Sequence, residues 1–424
     1  MKTIKKLING NDKDIGRKSV IWNMLSSLEY SLQSALLLLV VTRILGLRIA
    51  GVFTIAYTVT QMMSTIGSYA MRSFQVSDVL EEYKFTTYYS SRLVSTFTMI
   101  TITIIYSIIS GYNGTKFLLV IILCAYRSME SIEDVIHGEI QRRNRLDVAA
   151  KIVAIRIFMA TIVFVMVLIA TKNIVYSSIA FSLAGIGISI LLNRAIINDY
   201  KNIDFGVRFN KVFKLLLACL PICLGGFLYN YLGNAPKYSI DRTLPEELQT
   251  IFNVLFIPIF VINMLNSFIF KPMILTMGEL WNANDKKGFA KLIFRQLLII
   301  TGLTVIIAIG GGTIGLNLFG LIYAVDLGKY RLLFVMLFIF GGFSATSAYL
   351  NVVLTIMRRQ KVIIVSYFVA LIFDIVAMDR LTTALGLMGA GIGYGISMFC
   401  VVVIMSIAVI YYLVKKRTSH LEEK

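Results

Sequence analysis

The chain reads as long apolar runs separated by short polar ones. Runs of about 20 residues, long enough to cross a ~30 Å hydrocarbon core, fall near 19–45, 50–76, 88–110, 115–139, 147–171, 173–194, 211–233, 250–271, 288–312, 331–356, 361–380 and 387–414. An all-α polytopic membrane protein of about twelve transmembrane helices is expected. No connection exceeds roughly twenty residues on this reading, so no soluble catalytic or nucleotide-binding domain hangs from the membrane part. The most polar interruption is "NYLGNAPKYSIDRTLPEELQ", 230–249, which the pattern assigns largely to an outer loop of about sixteen residues between the seventh and eighth helices; the longest outer loop expected, 313–330, has about eighteen. A phosphate loop of the GxxxxGK[ST] type is absent, which argues against direct ATP-driven pumping by this chain.

Composition agrees and charge adds an orientation. Hydrophobic residues make up 57% and charged residues 15% of 424, with mean hydropathy +0.79, against about 25% charged in soluble domains. The net charge of +18 comes from 41 Lys and Arg against 23 Asp and Glu. With the N-terminus inside, 30 of the 41 bases fall on the cytoplasmic side, 9 on the outer side, and Arg127 and Arg156 stay in mid-span. This is the positive-inside rule, and it accounts for the surplus without nucleic acid. The first span is too long for the apolar region of a signal peptide and is expected to stay in the mature chain. Cys124, Cys219, Cys223 and Cys400 lie in spans, and with only two His in the chain no zinc ligand set forms.

The chain also repeats itself. At an offset of 199, "TRILGLRIAGVFTIAY" (42–57) lies on "DRTLPEELQTIFNVLF" (241–256), so that Arg43 meets Arg242 and Phe53 meets Phe252. At 216, "IQRRNR" (140–145) lies on "IMRRQK" (356–361), and "AGIG" occurs at 184 and again at 390. Six helices per half return the chain to its starting side. The expectation is therefore two parallel six-helix repeats in a V-shaped two-lobe transporter, with a site between the lobes near the midplane. The divisions are a cytoplasmic segment 1–18, an N-lobe 19–205 (helices 1–6), a C-lobe 206–414 (helices 7–12) and a cytoplasmic tail 415–424. The run "GAGIGYG", 389–395, lacks GxGxxG spacing and is read as close helix packing.

A charge at mid-membrane costs about 2.5–3.5 kcal/mol on insertion scales and so faces protein or water. Glu29, Arg127 and Arg156 lie roughly 13–18 Å deep. In "RSMESIEDVIHG", Arg127, Glu130, Ser131 and Asp134 share one helix face, with Glu133 displaced from it. Two readings stand. In one, Arg127 and Arg156, with Glu130 and Ser131, line a wet central cavity that receives an anionic group, and Glu29 and Asp374 respond to H⁺ or Na⁺. In the other, Arg127 pairs with Glu130 and Arg156 with Glu29 as buried ion pairs that hold helices together. Glu133 and Asp134, near the cytoplasmic end, are expected in solvent. Arg72, Arg92 and Lys271, near the inner ends, either guide an anionic headgroup or snorkel to the interface. Arg43, Lys237, Asp241 and Arg242 are read as an outer gate, with Lys237 and Asp241 four apart as a closing ion pair or a solvated helix end.

Taken together, "RILGLRIAGVFTIAY", "DVIHGEIQRRNRLDVAAK" and "NAPKYSIDRTL" resemble the bacterial polysaccharide and oligosaccharide flippases, including the teichoic-acid and capsule exporters, of the multidrug, oligosaccharidyl-lipid and polysaccharide (MOP) exporter superfamily. Arg43 and Gly46 match the first motif of that family, and Asn234, Pro236, Lys237 and Asp241 the seventh-helix motif. The resemblance implies a multi-pass bacterial plasma-membrane protein with both termini cytoplasmic. Its implied substrate is a lipid-linked oligosaccharide, typically on undecaprenyl pyrophosphate, or a teichoic-acid or capsule precursor, moved from the inner to the outer leaflet by alternating access. It further implies no enzymatic activity, no cofactor beyond a coupling H⁺ or Na⁺, and the lipid bilayer and glycan biosynthesis enzymes as partners. An ion-coupled drug or cation antiporter of the same superfamily is the alternative, though two mid-span Arg speak against it. A membrane glycan polymerase lacks the large outer loop it would need.

Overall fold

The computed structural model describes residues 5, 8, 14–78, 81–200, 203–270 and 273–414. Among them secondary structure is almost wholly helical and no strand occurs. Ten helical stretches are long and apolar enough to cross a bilayer. Two physical details raise the number of crossings to the twelve expected, and both concern unit 1.

The chain forms two compact units, Met1–Phe227 and Leu228–Lys424. The division thus falls inside the seventh span rather than at 205/206. In unit 1, α1 (Ile15–Ser68) is 54 residues long, about 80 Å at 1.5 Å per residue, far beyond any bilayer. Gly46 breaks it: at φ 81° and ψ 176° the backbone leaves the helix in a region open in practice only to glycine. The chain reverses there, because Tyr57 Oη donates to Gln33 Oε1 at 3.1 Å although 24 residues separate them. A straight helix would hold those residues roughly 36 Å apart. The two arms, 15–45 and 47–68, are therefore the first and second spans.

Then come α2 (Met71–Ser77), α3 (Phe85–Ile109), α4 (Gly114–Arg142), α5 (Leu146–Thr171) and α6 (Ile174–Ile196). The helix α4 fails a test of apolarity because its second half is rich in charge. It is nonetheless packed by α1, α3 and α6, and its carboxylates are met by side chains of α2, α3, α5 and α6 and by its own arginines. Asn173 caps α6 by accepting from the Val175 and Tyr176 amides at 2.9 and 3.2 Å.

The helix α7 (Val212–Thr243) passes from unit 1 into unit 2. It corrects the sequence reading: "NAPKYSIDRT" continues the helix ten residues past the expected end at 233, and only Leu244 and Pro245 separate it from α8 (Glu246–Phe270). The sixteen-residue outer loop expected there is not formed. At the repeat offset of 199, Pro245 falls on Gly46, so the first helical hairpin of each half turns at the same place. Unit 2 continues with α9 (Ile274–Asn282), α10 (Lys286–Gly310), a π turn at Gly311–Gly315, α11 (Leu316–Tyr323) and α12 (Arg331–Ile356). It ends with α13 (Gln360–Phe373), a second π turn at Asp374–Met378, α14 (Asp379–Leu385) and α15 (Leu387–Val414). The run 389–395 packs as expected: a Cβ on Gly389, Gly391, Gly393 or Gly395 would collide with Leu381, Leu333, Met378 or Phe340.

Candidate functional site

The densest chemistry lies in unit 1, on the C-terminal half of α4. Arg127 and Arg156 are 1% and 3% exposed. Glu130 joins them: Arg127 Nη1 donates to its Oε2 at 2.5 Å and Arg156 Nη1 to its Oε1 at 2.8 Å. Arg156 Nε also lies 3.0 Å from Glu133 Oε2. Glu133 is closed off by α6, where Ser189 Oγ and Asn193 Nδ2 donate to its Oε1 at 2.7 and 3.0 Å. The expected Arg156–Glu29 pair does not form. Glu133, expected in solvent, is buried at the centre of the network, because the side of α4 it occupies packs on α6 and not on water.

Aromatic rings complete the surroundings. The Arg127 guanidinium sits 4.8 Å from the Tyr57 ring centroid and 5.7 Å from those of Tyr30 and Tyr126. Such cation–π contacts are worth about 0.5–2 kcal/mol each. The Tyr126 hydroxyl bonds to Arg156 Nη1, and its ring lies against Gly185, where any Cβ would strike it. The small residue in "AGIG" is thus what lets Tyr126 reach Arg156. Arg127 Nη2 is buried and has no hydrogen-bond partner.

A second tier lies one to two turns further along α4. Asp134, expected in solvent, bridges two arginines: Arg72 Nη1 donates to Oδ1 at 3.1 Å and Arg92 Nη2 to Oδ2 at 2.8 Å. Arg92 is not an inner-mouth residue at all. It is fully buried, and its Nη1 donates to the carbonyls of Gly67, at 3.0 Å, and of Ser68, the last carbonyls of α1. It therefore caps a helix C-terminus, where a cation is favoured. Ser131 is likewise removed from any cavity wall: its Oγ donates to the Arg127 carbonyl at 3.1 Å and its side chain packs on Gly67. Arg72 alone of the expected inner bases stays half-exposed. Lys271 lies outside the described residues.

Four guanidinia (Arg72, Arg92, Arg127, Arg156) thus face three carboxylates (Glu130, Glu133, Asp134), and with the carboxylates ionised one positive charge is in excess. His137 is buried with its Nε2 3.9 Å from Glu133 Oε1. Glu29 is half-buried on the first arm of α1, and its Oε2 is buried without a partner.

Unit 2 holds isolated charges instead of a network. Lys237, expected at the outer mouth, is 4% exposed in mid-helix, with Nζ 5.0 and 5.1 Å from the ring centroids of Phe256 and Phe260. Among the described residues no carboxylate lies within ion-pair distance of it, so the expected pairing with Asp241 is replaced by an aromatic cage. The continuation of α7 to Thr243 makes Lys237 a mid-helix residue packed on the Phe256 and Phe260 rings of α8. Arg242 instead forms a two-pronged pair with Asp379, at 2.9 and 2.7 Å, with both side chains about two-fifths exposed. Asp374 opens the π turn in the eleventh span and is 3% exposed. Ser397 Oγ donates to its Oδ1, and its Oδ2 has no partner.

Sequence reasoning missed Tyr30, Tyr57, Tyr126, Gln33, Ser189 and Asn193. The signal for the last two was present as polar residues four apart in an otherwise greasy helix. For the tyrosines there was none, since 21 Tyr are spread along the chain.

No protein-family model matches the sequence, and no curated protein matches it. Solved structures do match by shape. A structure described as the lipid II flippase MurJ aligns over 92% of this chain and 87% of its own, at TM-score 0.71 and 11% identity. A multidrug resistance MATE family transporter of the MOP superfamily aligns over 90% and 94%, at TM-score 0.65 and 11% identity. A MOP superfamily transporter from Pyrococcus furiosus aligns over 96% and 97%, at TM-score 0.56 and 14% identity. All three are described as transporters or flippases. The chain is accordingly a multi-pass helical membrane protein with the fold that these three solved structures share.

Proposed function

We propose that the chain is a flippase. On this reading it moves a lipid-linked anionic oligosaccharide, of the undecaprenyl pyrophosphate type or a teichoic-acid or capsule precursor, from the inner to the outer leaflet of a bacterial plasma membrane. It does so by alternating access of two six-helix lobes, with both termini cytoplasmic and with glycan biosynthesis enzymes supplying the substrate. The observation that carries the reading is the buried Arg127–Glu130–Arg156 cluster, in which Arg127 Nη1 is paired with Glu130 but Nη2 has no hydrogen-bond partner. A buried N–H without an acceptor is costly, and a phosphate diester or pyrophosphate oxygen supplies one. Arg127 and Arg156, with Glu130 between them, are the residues assigned to the substrate, and Arg43 and Arg242, each just before a hairpin turn, to its exit.

An ion-coupled drug or cation antiporter is the second reading. It is favoured by Glu29 and Asp374, two carboxylates in spans that each hold a buried oxygen without a hydrogen-bond partner. In either reading these are the groups assigned to H⁺ or Na⁺ coupling. The two readings separate when the gene is deleted and membrane lipids are extracted. A flippase leaves a lipid-linked glycan accumulating on the inside, and Arg127→Ala or Arg156→Ala fails to clear it despite normal insertion. Loss of drug resistance with no glycan accumulation would decide for the antiporter.

A further inference from the structure

A cavity of about 310 Å³ opens in unit 1 between the first arm of α1, the start of α5 and Arg72. That is the lower end of the range for small-molecule sites, roughly 300–1,000 Å³. Its two walls differ in chemistry. Asn23, Ser27, Tyr30 and Ser31 of α1 face it with amide and hydroxyl groups, while Ala149 and Ala150 belong to the apolar α5 wall opposite. A polar stripe at three- and four-residue spacing on a membrane-spanning helix makes no sense against lipid. No carboxylate lines the cavity among the described residues, and its one charged group is the Arg72 guanidinium.

Arg72 is placed there by a strained turn. Tyr69 (φ 49°) and Ala70 (φ 51°) are consecutive non-glycine residues in the left-handed region, each costing of order 1–3 kcal/mol. Arg92 holds the turn through the Gly67 and Ser68 carbonyls, and Asp134 fixes Arg92 and Arg72 together. With Nη1 on Asp134 and Nε on Gln141 at 3.0 Å, Arg72 Nη2 keeps its donors unused by the described residues.

We propose that this cavity binds a phosphate ester that carries hydroxyl groups: the oxyanion on Arg72 Nη2, the polyol on the Asn–Ser–Tyr face of α1, and a C–H face or first methylenes on the alanine wall. A phosphoglycosyl carrier lipid and a phosphoglycerol bilayer lipid share this chemistry. Which lipid occupies the site in the cell rests on the flippase reading; the site itself does not.

The test uses the full chain in phosphatidylcholine nanodiscs, titrated with glucose 1-phosphate, with glucose and inorganic phosphate run alongside. Glucose 1-phosphate is expected to bind more tightly than either control. Arg72→Gln is expected to weaken it roughly tenfold or more, the value of a charge-assisted hydrogen bond. Ser27→Trp, at an exposed position that leaves the Arg72–Asp134 pair intact, fills the cavity and abolishes binding. Displacement by undecaprenyl-linked phosphoglycan identifies the carrier as occupant, and displacement by phosphatidylglycerol identifies the bilayer lipid. Absent binding to the wild type, or unchanged affinity in well-folded Arg72→Gln and Ser27→Trp, overturns the site. The flippase reading fails separately, when a deletion strain accumulates no lipid-linked glycan.

Discussion

Glu130→Gln is the sharpest probe of the unit 1 network. The substitution keeps the side-chain shape and removes the charge shared by Arg127, at 2.5 Å, and Arg156, at 2.8 Å. Arg156 retains Glu133 at 3.0 Å. Arg127, 1% exposed, keeps its three tyrosine faces and a 3.5 Å bond to the Tyr30 hydroxyl, with no carboxylate within ion-pair distance among the described residues. Breaking a buried pair from one side costs about 3–5 kcal/mol, because the remaining charge is stranded. For a cooperative body of 150–250 residues each kcal/mol moves Tm by about 2–4 °C, so unit 1 should melt roughly 6–20 °C lower. A fluorescence-detected melt in detergent reads this directly, and added salt should not change it, since a buried pair is poorly screened. The double variant Arg127→Met with Glu130→Met removes both charges and should return Tm to near the wild-type value. Glu130→Gln melting within about 4 °C of wild type would refute the reasoning, since a marginal surface pair loses no more than that.

Lys237→Met should raise Tm, because it replaces a buried ammonium lacking an ion partner with an apolar chain of similar length. The gain is at least about 1 kcal/mol after loss of the contacts to Phe256 and Phe260; a lower Tm in the same melt argues that those contacts dominate. Gly46→Ala forces an L-residue to φ 81° and should cost about 1–3 kcal/mol. Its check is the melt together with cross-linking of cysteines placed at 33 and 57, which loses yield when the hairpin opens.

The crossings were legible in the sequence because burial in lipid demands long apolar runs whatever lies beside them. Span positions were right within a few residues for most helices. The exceptions carry the lesson. Only the first half of α4 is apolar enough to mark it as a span; its charged second half stays packed because neighbouring helices supply the partners for its charges. The polar stretch after 233 looked like a loop because a Pro, a Lys, an Asp and an Arg interrupt it. It is helical because Lys237 finds an aromatic cage and Arg242 finds Asp379.

By itself the sequence placed Glu29, Arg127, Arg156 and Asp374 within spans, since their depth follows from residue count and helical rise; Arg127, Arg156 and Asp374 are buried and Glu29 is half-buried. It also placed the hairpin turn near Gly46, where the backbone needs a conformation that side chains resist. Only the tertiary structure decided who pairs with whom. Arg156 took Glu130 and Glu133 rather than Glu29, Arg92 became a helix cap, and Asp134 became a bridge. Depth along a helix is a one-dimensional property. Pairing depends on the rotation and packing of helices distant in sequence, and in a low-dielectric interior a shift of a few ångströms decides which carboxylate a guanidinium can reach.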